Sequence, residues 1–92
     1  MVTVTVNGTT YPIRWIVAAN RDDRIRLMVA VEEESISQLA RDFEGADFME
    51  KIDNKKPGIV ERYEGFRRLV SISRDNNEGV TIITMEAAKE ES

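Results

Sequence analysis

The side chains with the clearest potential for chemistry in this chain are its arginines. Several fall within or beside runs of alternating apolar residues, which predict strands: Arg14, Arg24, Arg26, Arg62, Arg67, Arg68 and Arg74. Because a guanidinium group presents its donors in a planar fork, arginines that share one sheet face would suit phosphate groups or a partner's carboxylates. The alternative, which we favour, is a hydrated sheet face on which they pair across strands with Glu32, Glu61 or Glu64.

A partner-binding surface, if the chain has one, is expected at Tyr63, Phe66, Arg67 and Arg68. The two aromatic rings could also stack on nucleic-acid bases. However, the chain has only one tryptophan, two tyrosines and three phenylalanines, and its 17 acidic side chains exceed its 13 basic ones, which gives a net charge of -4. This balance disfavours broad attraction to nucleic acid or to an anionic membrane.

The residues on which most enzymes depend are missing from the sequence. It has no cysteine and no histidine, which removes thiolate nucleophiles, the commonest general base and the usual zinc ligands. The serines have no base of the usual kind, and the acidic stretches "EEES", "RDD" and "DNNEG" lack the spacing of a calcium-binding loop. We therefore predict no enzyme activity, no catalytic residue, no cofactor and no metal, and we rank a small enzyme or metal-binding domain last.

The first third of the chain predicts three strands. "VTVTV" alternates strictly, and Asn7-Gly8 is a strong hairpin signal because both residues tolerate positive φ. Pro12 in the return strand predicts an edge position or a bulge. "ANRDD" predicts a loop, and "RIRLMVAV" predicts the third strand. Alternation in the second strand places four residues on one face: Tyr11, Ile13, Trp15 and Val17.

The apolar period then changes from two to that of a helix. In "ESISQLARDFEG", apolar residues recur on one helical face at Ile36, Leu39, Ala40 and Phe43. Ser35 and Gln38 predict a capping box, and Gly45 predicts the end of the helix. The glutamates before Ser35 place negative charge near the positive end of the helix dipole.

The remainder predicts three further strands, "ADFMEKID", "IVERYEGFRRLVSISR" and "VTIITM", which are separated by the turns "NKKPG" and "DNNEG". Gly65 marks a bulge or bend in the long middle strand. Beyond it, alternation puts Val70 and Ile72 on one face and Leu69 on the other. The predicted core residues are Trp15, Phe43, Phe48, Ile72 and Ile82.

These elements predict one α+β domain over residues 1–86 and a charged, frayed tail over residues 87–92. One short helix packs on a curved, mostly antiparallel sheet of about six strands, in the order β-β-β-α-β-β-β. One helix covers only one sheet face, yet neighbours such as Ile82 and Ile83 point both ways. Two explanations remain open, an exposed apolar surface for a partner or a sheet that curls and buries both sides.

No apolar run approaches the roughly 20 residues needed to span a bilayer. The first residues, "MVTVTVNG", lack the basic region and apolar core of a secretory signal. We therefore expect no membrane association and a cytoplasmic location.

The last third of the chain carries a pattern of tyrosine, glycine, phenylalanine, leucine, serine and isoleucine at Tyr63, Gly65, Phe66, Leu69, Ser71 and Ile72. An acidic turn and a strand rich in valine and threonine come after it. Together with the early Asn-Gly hairpin and the "LARDFEG" helix, this pattern resembles small uncharacterised proteins encoded in phage and prophage structural regions of Gram-positive bacteria. The resemblance implies a structural or assembly role in a phage tail or virion, with protein partners and no catalytic residue.

The main functional hypothesis from the sequence is a non-catalytic protein-interaction or assembly module. Its partner would be another protein or a second copy of the chain, in the cytoplasm or in an assembled phage particle. The alternative is a small nucleic-acid-binding protein that uses an arginine-rich sheet face.

Overall fold

The computed structural model describes residues 1–21, 23–56 and 58–88. It contains one helix and seven strands: β1 Val2–Val6, β2 Thr9–Arg21, β3 Arg24–Val31, α1 Ile36–Phe43, β4 Phe48–Asp53, β5 Val60–Glu64, β6 Arg68–Asp75 and β7 Val80–Ala88. The strands form one antiparallel sheet in the order β5-β4-β1-β2-β3-β7-β6. The predicted α+β class is confirmed, with one strand more than the six expected. The extra strand arises because residues 65–67 divide the predicted long strand into β5 and β6. Within the described ranges, no helix has the length and apolar content required to cross a membrane.

The first hairpin forms as the sequence predicts. Asn7 and Gly8 have φ angles of 50° and 79°, the two positive values that a type I′ turn requires. Val6 and Thr9 face each other on either side of the turn. The predicted loop "ANRDD" is partly wrong, because β2 continues through Asn20 to Arg21, while Asp22 lies outside the described residues.

A bulge at Arg14 changes which face of the sheet the second half of β2 presents. Ile13 pairs with Val31, but the next pair joins Trp15 to Ala30, so Arg14 is an extra residue. The prediction that Tyr11, Ile13, Trp15 and Val17 share one face is therefore wrong. The first two point to the core and are buried, whereas Trp15 and Val17 point away from it and are each 42% exposed.

The position of Pro12 differs from the predicted edge strand, because β2 lies in the middle of the sheet. Its carbonyl accepts a hydrogen bond from the amide of Glu32, just beyond the end of β3. In a strand, the N–H and C=O of one residue point to the same side. Pro12, which has no N–H, therefore lies opposite the point where the hydrogen bonds between β2 and β3 end, so no strand hydrogen bond is lost there. The predicted bulge lies two residues later, at Arg14.

The helix α1 packs its apolar side on the face of the sheet that we call the inner face. Ser35 accepts a hydrogen bond from the amide of Gln38, which confirms one half of the predicted capping box. The other half is wrong, because the amide of Ser35 donates to the Glu33 carboxylate, which also accepts from the amide of Glu34, while the Gln38 side chain donates to Tyr11. Leu39 and Phe43 are fully buried. The core is made by inner-face residues of the strands together with α1 and Phe66: Val4, Val6, Tyr11, Ile13, Leu27, Val29, Val31, Leu39, Phe43, Met49, Phe66, Ile83 and Met85.

The short link between β5 and β6 shows that the sheet is strongly curled. These strands lie at opposite edges of the sheet, which in a flat sheet would be six strand spacings, or roughly 29 Å, apart. Only residues 65–67 separate them, and four Cα steps reach at most about 14 Å. Phe66 inserts into the core from this link, and the amide of Gly65 donates to the Asp47 carbonyl. Curling therefore encloses the core, although the two edges are not paired.

The predicted core list is only partly right. Phe43 is fully buried, and Ile72 is half-buried against the core. Trp15 and Phe48 are exposed by 42% and 40%, and Ile82 is half-buried on the opposite face of the sheet. In β4 the alternation itself is correct, but Met49 rather than Phe48 points inward.

The predicted end of the domain at residue 86 is short of the end of the sheet. Ala87 pairs with Ile25 of β3, and β7 ends at Ala88. The rest of the predicted charged tail, residues 89–92, lies outside the described residues.

Candidate functional site

The four residues of the predicted partner-binding surface do not lie on one surface. Phe66 is buried in the core, and Tyr63 is half-buried on the inner side, where its hydroxyl donates to Glu61. Arg67 is exposed and its guanidinium lies 2.7 Å from the Asp47 carboxylate. Arg68 is exposed on the face of the sheet opposite α1, which we call the outer face. The two aromatic side chains of the predicted surface thus pack in or against the core.

Three of the predicted strand arginines do come together, around a glutamate that the sequence reasoning missed. Cross-strand pairing aligns Arg26 of β3, Glu86 of β7 and Arg68 of β6 in one row of the outer face. Arg24 lies two residues from Arg26 on the same face. We call these three arginines with Glu86 the arginine cluster. Its signal in the sequence was the single acidic residue within the apolar strand "VTIITMEAA".

The three arginines of the cluster lie at different distances from the carboxylate of Glu86. Arg26 donates from both Nε and Nη2 to Oε2 of Glu86, at 3.3 and 2.8 Å. Arg24 and Arg68 lie farther away, with Nη1 at 3.6 and 3.7 Å from Oε1. The Arg24 and Arg68 side chains are 44% and 63% exposed, whereas that of Glu86 is only 9% exposed. Glu86 is therefore held mainly by Arg26, and the other two guanidinium groups face solvent.

The charge of the arginine cluster depends on the pKa of Glu86. The hydrogen bond from Arg26 lowers this pKa, burial opposes the change, and the charges of Arg26, Arg24 and Arg68 lower it further. Glu86 is thus ionised at neutral pH. The Asp23 carboxylate also lies 3.9 Å from Nε of Arg24. Three guanidinium groups and two carboxylates leave a local excess of one positive charge, in a chain whose net charge is -4.

An apolar strip adjoins the arginine cluster on the outer face. One cross-strand row contains Trp15, Ala30 and Ile82, and the next contains Val17, Met28 and Thr84. We call the five apolar residues of these rows the outer strip. The row of Arg26, Glu86 and Arg68, which we call the arginine row, is the next one along the strands, since Arg26 is two residues from Met28. Ala30 is fully buried between its larger neighbours in the outer strip, whereas Trp15 and Val17 remain exposed to solvent.

A second candidate is a groove of about 360 Å³ on the side of α1, lined by Thr9, Thr10, Tyr11, Pro12, Glu32, Glu33, Glu34 and Gln38. Its acidic side chains already have partners. Glu32 pairs with Arg14 at 3.5 Å, Glu34 pairs with Arg74 at 3.3 Å, and Glu33 caps the helix. The groove therefore presents mainly satisfied polar groups.

A buried hydrogen-bond network joins the helix to the sheet beside this groove. The Tyr11 hydroxyl donates to Asp42 and accepts from Gln38. Burial, together with the hydrogen bond to Asp42, raises the pKa of Tyr11. Burial alone would raise the pKa of Asp42, but hydrogen bonds from Tyr11, Thr9 and Asn7 and the charge of Arg41 hold it below its usual value. The proton thus stays on tyrosine, and the pair serves to fix α1 rather than to transfer a proton.

Two further observations limit the chemistry of the described residues. No group of three acidic side chains among them is arranged to hold a metal ion. Every buried side-chain nitrogen or oxygen in these same ranges has a hydrogen-bond partner, so none of these buried atoms lacks one that a ligand would have to supply.

Comparison with protein-family models, with curated proteins and with solved structures gives no significant match for this chain. Its function is therefore inferred from its own residues and their geometry.

Proposed function

We propose that this chain is a non-catalytic protein-interaction module that binds a protein partner through its outer face. The observation that carries the proposal is the exposure of Trp15 and Val17 beside the arginine cluster. In the described part of the chain, α1 is the only helix and packs on the inner face, so these side chains have no covering layer.

The composition of the outer face supports a protein as the partner. Tryptophan, methionine and arginine are enriched at the centres of protein interfaces, and the outer face brings Trp15, Met28 and the arginine cluster together. Apolar surface that is covered on binding contributes roughly 25 cal/mol for each Å². An exposed tryptophan next to branched aliphatic side chains therefore offers affinity that a charged surface would not.

The resemblance to phage and prophage structural-region proteins implies a biological process for the proposed module, the assembly of a phage particle. A module that binds a protein or its own copies would serve in the assembly of a tail or virion, in the cytoplasm or in the particle. Nucleic-acid binding is the second candidate, favoured by the convergence of Arg24, Arg26 and Arg68 on one face. The central Glu86 and the single tryptophan weigh against it, because single-strand binders use several stacked aromatic side chains.

The single tryptophan supplies a direct test of the proposal. A random peptide library is selected on the immobilised chain, and enriched peptides are titrated while Trp15 emission is recorded. Self-association is measured in parallel by sedimentation velocity. We expect a blue shift of the emission when a peptide or a second copy covers Trp15, which is the only tryptophan.

A matched pair of variants controls the site of binding. Val17→Thr and Val60→Thr make the same change at outer-face strand positions that are 42% and 50% exposed. Val17→Thr should weaken binding about fivefold, whereas Val60→Thr, three strands away from β2, should not. The proposal fails if no peptide is enriched and the chain stays monomeric at millimolar concentration. It also fails if binding neither shifts the emission of Trp15 nor weakens in Val17→Thr.

A further inference from the structure

We infer that the arginine cluster is the binding site for an acidic, extended segment of the protein partner. The inference deepens the proposed function and rests on it, since it names the chemistry of the partner at the same face. It depends on an excess of positive charge at one position of an otherwise acidic chain.

Glu86 does not satisfy the three arginines of the cluster, and the Asp23 carboxylate approaches Nε of Arg24 only to 3.9 Å. Arg26 alone occupies Oε2 of Glu86, while Arg24 and Arg68 approach Oε1 only to 3.6 and 3.7 Å, beyond ordinary hydrogen-bond length. Guanidinium groups held this close repel one another, which is unfavourable for stability alone. A group of like charges that costs stability is expected where a ligand of opposite charge binds.

The surroundings of the cluster favour a carboxylate on a peptide over a phosphate on a nucleic acid. A guanidinium fork suits both anions. Nucleic acid needs an extended basic track, but elsewhere the outer face carries Glu50 and Glu64, and Arg62 is already paired with Glu64 at 2.8 Å. Beside the cluster lie the aliphatic side chains of Val17 and Met28 rather than a series of aromatic platforms.

The rows of the outer face give the spacing that a partner segment should have. The arginine row, the Val17–Met28 row and the Trp15–Ile82 row succeed one another at intervals of two residues along β3. Each interval is about 7 Å. An extended segment that runs along the strands would present its alternate side chains to these rows. It should therefore carry Asp or Glu, then apolar residues two and four positions away.

The test uses three defined probes and the full chain labelled with ¹⁵N. The acidic probe is an eight-residue peptide with two glutamates before alternating valine and threonine, and the neutral probe has glutamine in place of glutamate. The third probe is an eight-nucleotide single strand of thymidine. Each is titrated to 5 mM in 20 mM salt, and shifts of the backbone amides and arginine Nε–H groups are recorded.

We expect the acidic peptide to shift the Nε–H signals of Arg24 and Arg68 and to bind at least about fivefold more tightly than the neutral peptide. The double variant Arg24→Gln/Arg68→Gln should lose this preference. Arg62→Gln, which removes an outer-face arginine four strands away from β3, should keep it. The peptide comparison on the unaltered chain stays decisive even if the double variant folds poorly.

The outcomes separate this inference from the proposed function. Equal binding of both peptides with shifts at Trp15 and Val17 overturns the acidic preference and leaves the protein-binding face intact. Tighter binding of the oligothymidine overturns the inference in favour of nucleic acid. No shift with any probe also overturns it, and the library selection then decides the proposed function independently.

Discussion

Removal of one hydroxyl group, in Tyr11→Phe, should measure how strongly α1 is attached to the sheet. The hydroxyl donates to Asp42, whose side chain is buried, and accepts from Gln38. Phenylalanine keeps the ring, whose centroid lies 5.9 Å from that of Phe43, so no cavity is created. The change therefore isolates the polar contribution of the network.

The expected cost depends on the donors that remain around Asp42. Without Tyr11, Asp42 keeps the side chain of Thr9 as a donor. Asn7 Nδ2 at 3.5 Å and Arg41 Nε at 3.7 Å are at or beyond the limit of a good hydrogen bond. A hydrogen bond to a charged group contributes roughly 1.5 to 3 kcal/mol, and Gln38 loses an acceptor as well. We expect a loss of about 2 kcal/mol in the free energy of unfolding. In a domain of this size, that corresponds to a decrease in Tm of about 10 °C.

Urea denaturation at pH 7 provides the measurement, and the second tyrosine provides the control. Tyr63→Phe removes a hydroxyl whose bond to Glu61 is exposed, so its cost should stay below about 0.5 kcal/mol. In an Asp42→Asn background the cost of Tyr11→Phe should fall, because a neutral amide left without its donor is penalised less than a carboxylate. Equal costs for the two tyrosine changes would refute the argument that this network anchors α1.

Two further predictions concern the curled sheet and its outer face. Glu86→Gln should flatten the dependence of stability on pH in acid, as measured by thermal unfolding between pH 2 and 6. The folded-state pKa of Glu86 lies below its usual value of about 4.3. The stabilisation by ionised Glu86 is therefore fully present above that usual value and is lost as the pH falls through the lower, folded-state pKa. A pH profile that Glu86→Gln leaves unchanged would contradict this. Gly65→Ala should cost about 1 kcal/mol in urea denaturation, because φ is 83° there while an added Cβ meets no atom within 4 Å. No loss would show that the β5–β6 link tolerates another conformation.

The fold class could be predicted from the sequence because local signals agreed with the tertiary structure. The Asn7-Gly8 turn and the Ser35 cap each depend on a few neighbouring residues. Gly65 predicts a bulge or bend at the position where the chain in fact breaks between β5 and β6. Strand order was not accessible in the same way, because the pairing of β3 with β7 joins residues at least 50 positions apart.

The site was harder to predict because two bulges shift the alternation of apolar residues. Arg14 in β2 and Val70 in β6 are each an extra residue, and each reverses the face to which the later residues of its strand point. Leu69 and Ile72 therefore share the inner face, although strict alternation separates them. Of the acidic partners predicted for the arginines, Glu32 does pair with Arg14, and Glu64 pairs with Arg62 of the same strand. The partner of Arg26 is Glu86, which only the register of β3, β7 and β6 brings to it.

The buried Asp42 shows a signal that sequence reasoning could have used. It lies three residues after Leu39 and one before Phe43, so helical geometry puts a carboxylate on the apolar side of α1. A charged residue on such a face needs a buried donor. Tyr11 is the donor, and the requirement alone would have indicated that a polar side chain of the sheet faces the helix.

The bulge at Arg14 also shapes the outer face, which we propose as a binding surface. Without it, regular alternation would turn Trp15 and Val17 toward the core, where a large apolar side chain stabilises a small domain most. The chain instead directs Ile13 and Ile16 of that strand to the core and leaves its single tryptophan 42% exposed. Bulges are frequent where a strand re-aims a functional side chain. Core burial of the largest side chain is thus given up next to arginines in excess of their acidic neighbours, and the partner that we propose would cover both.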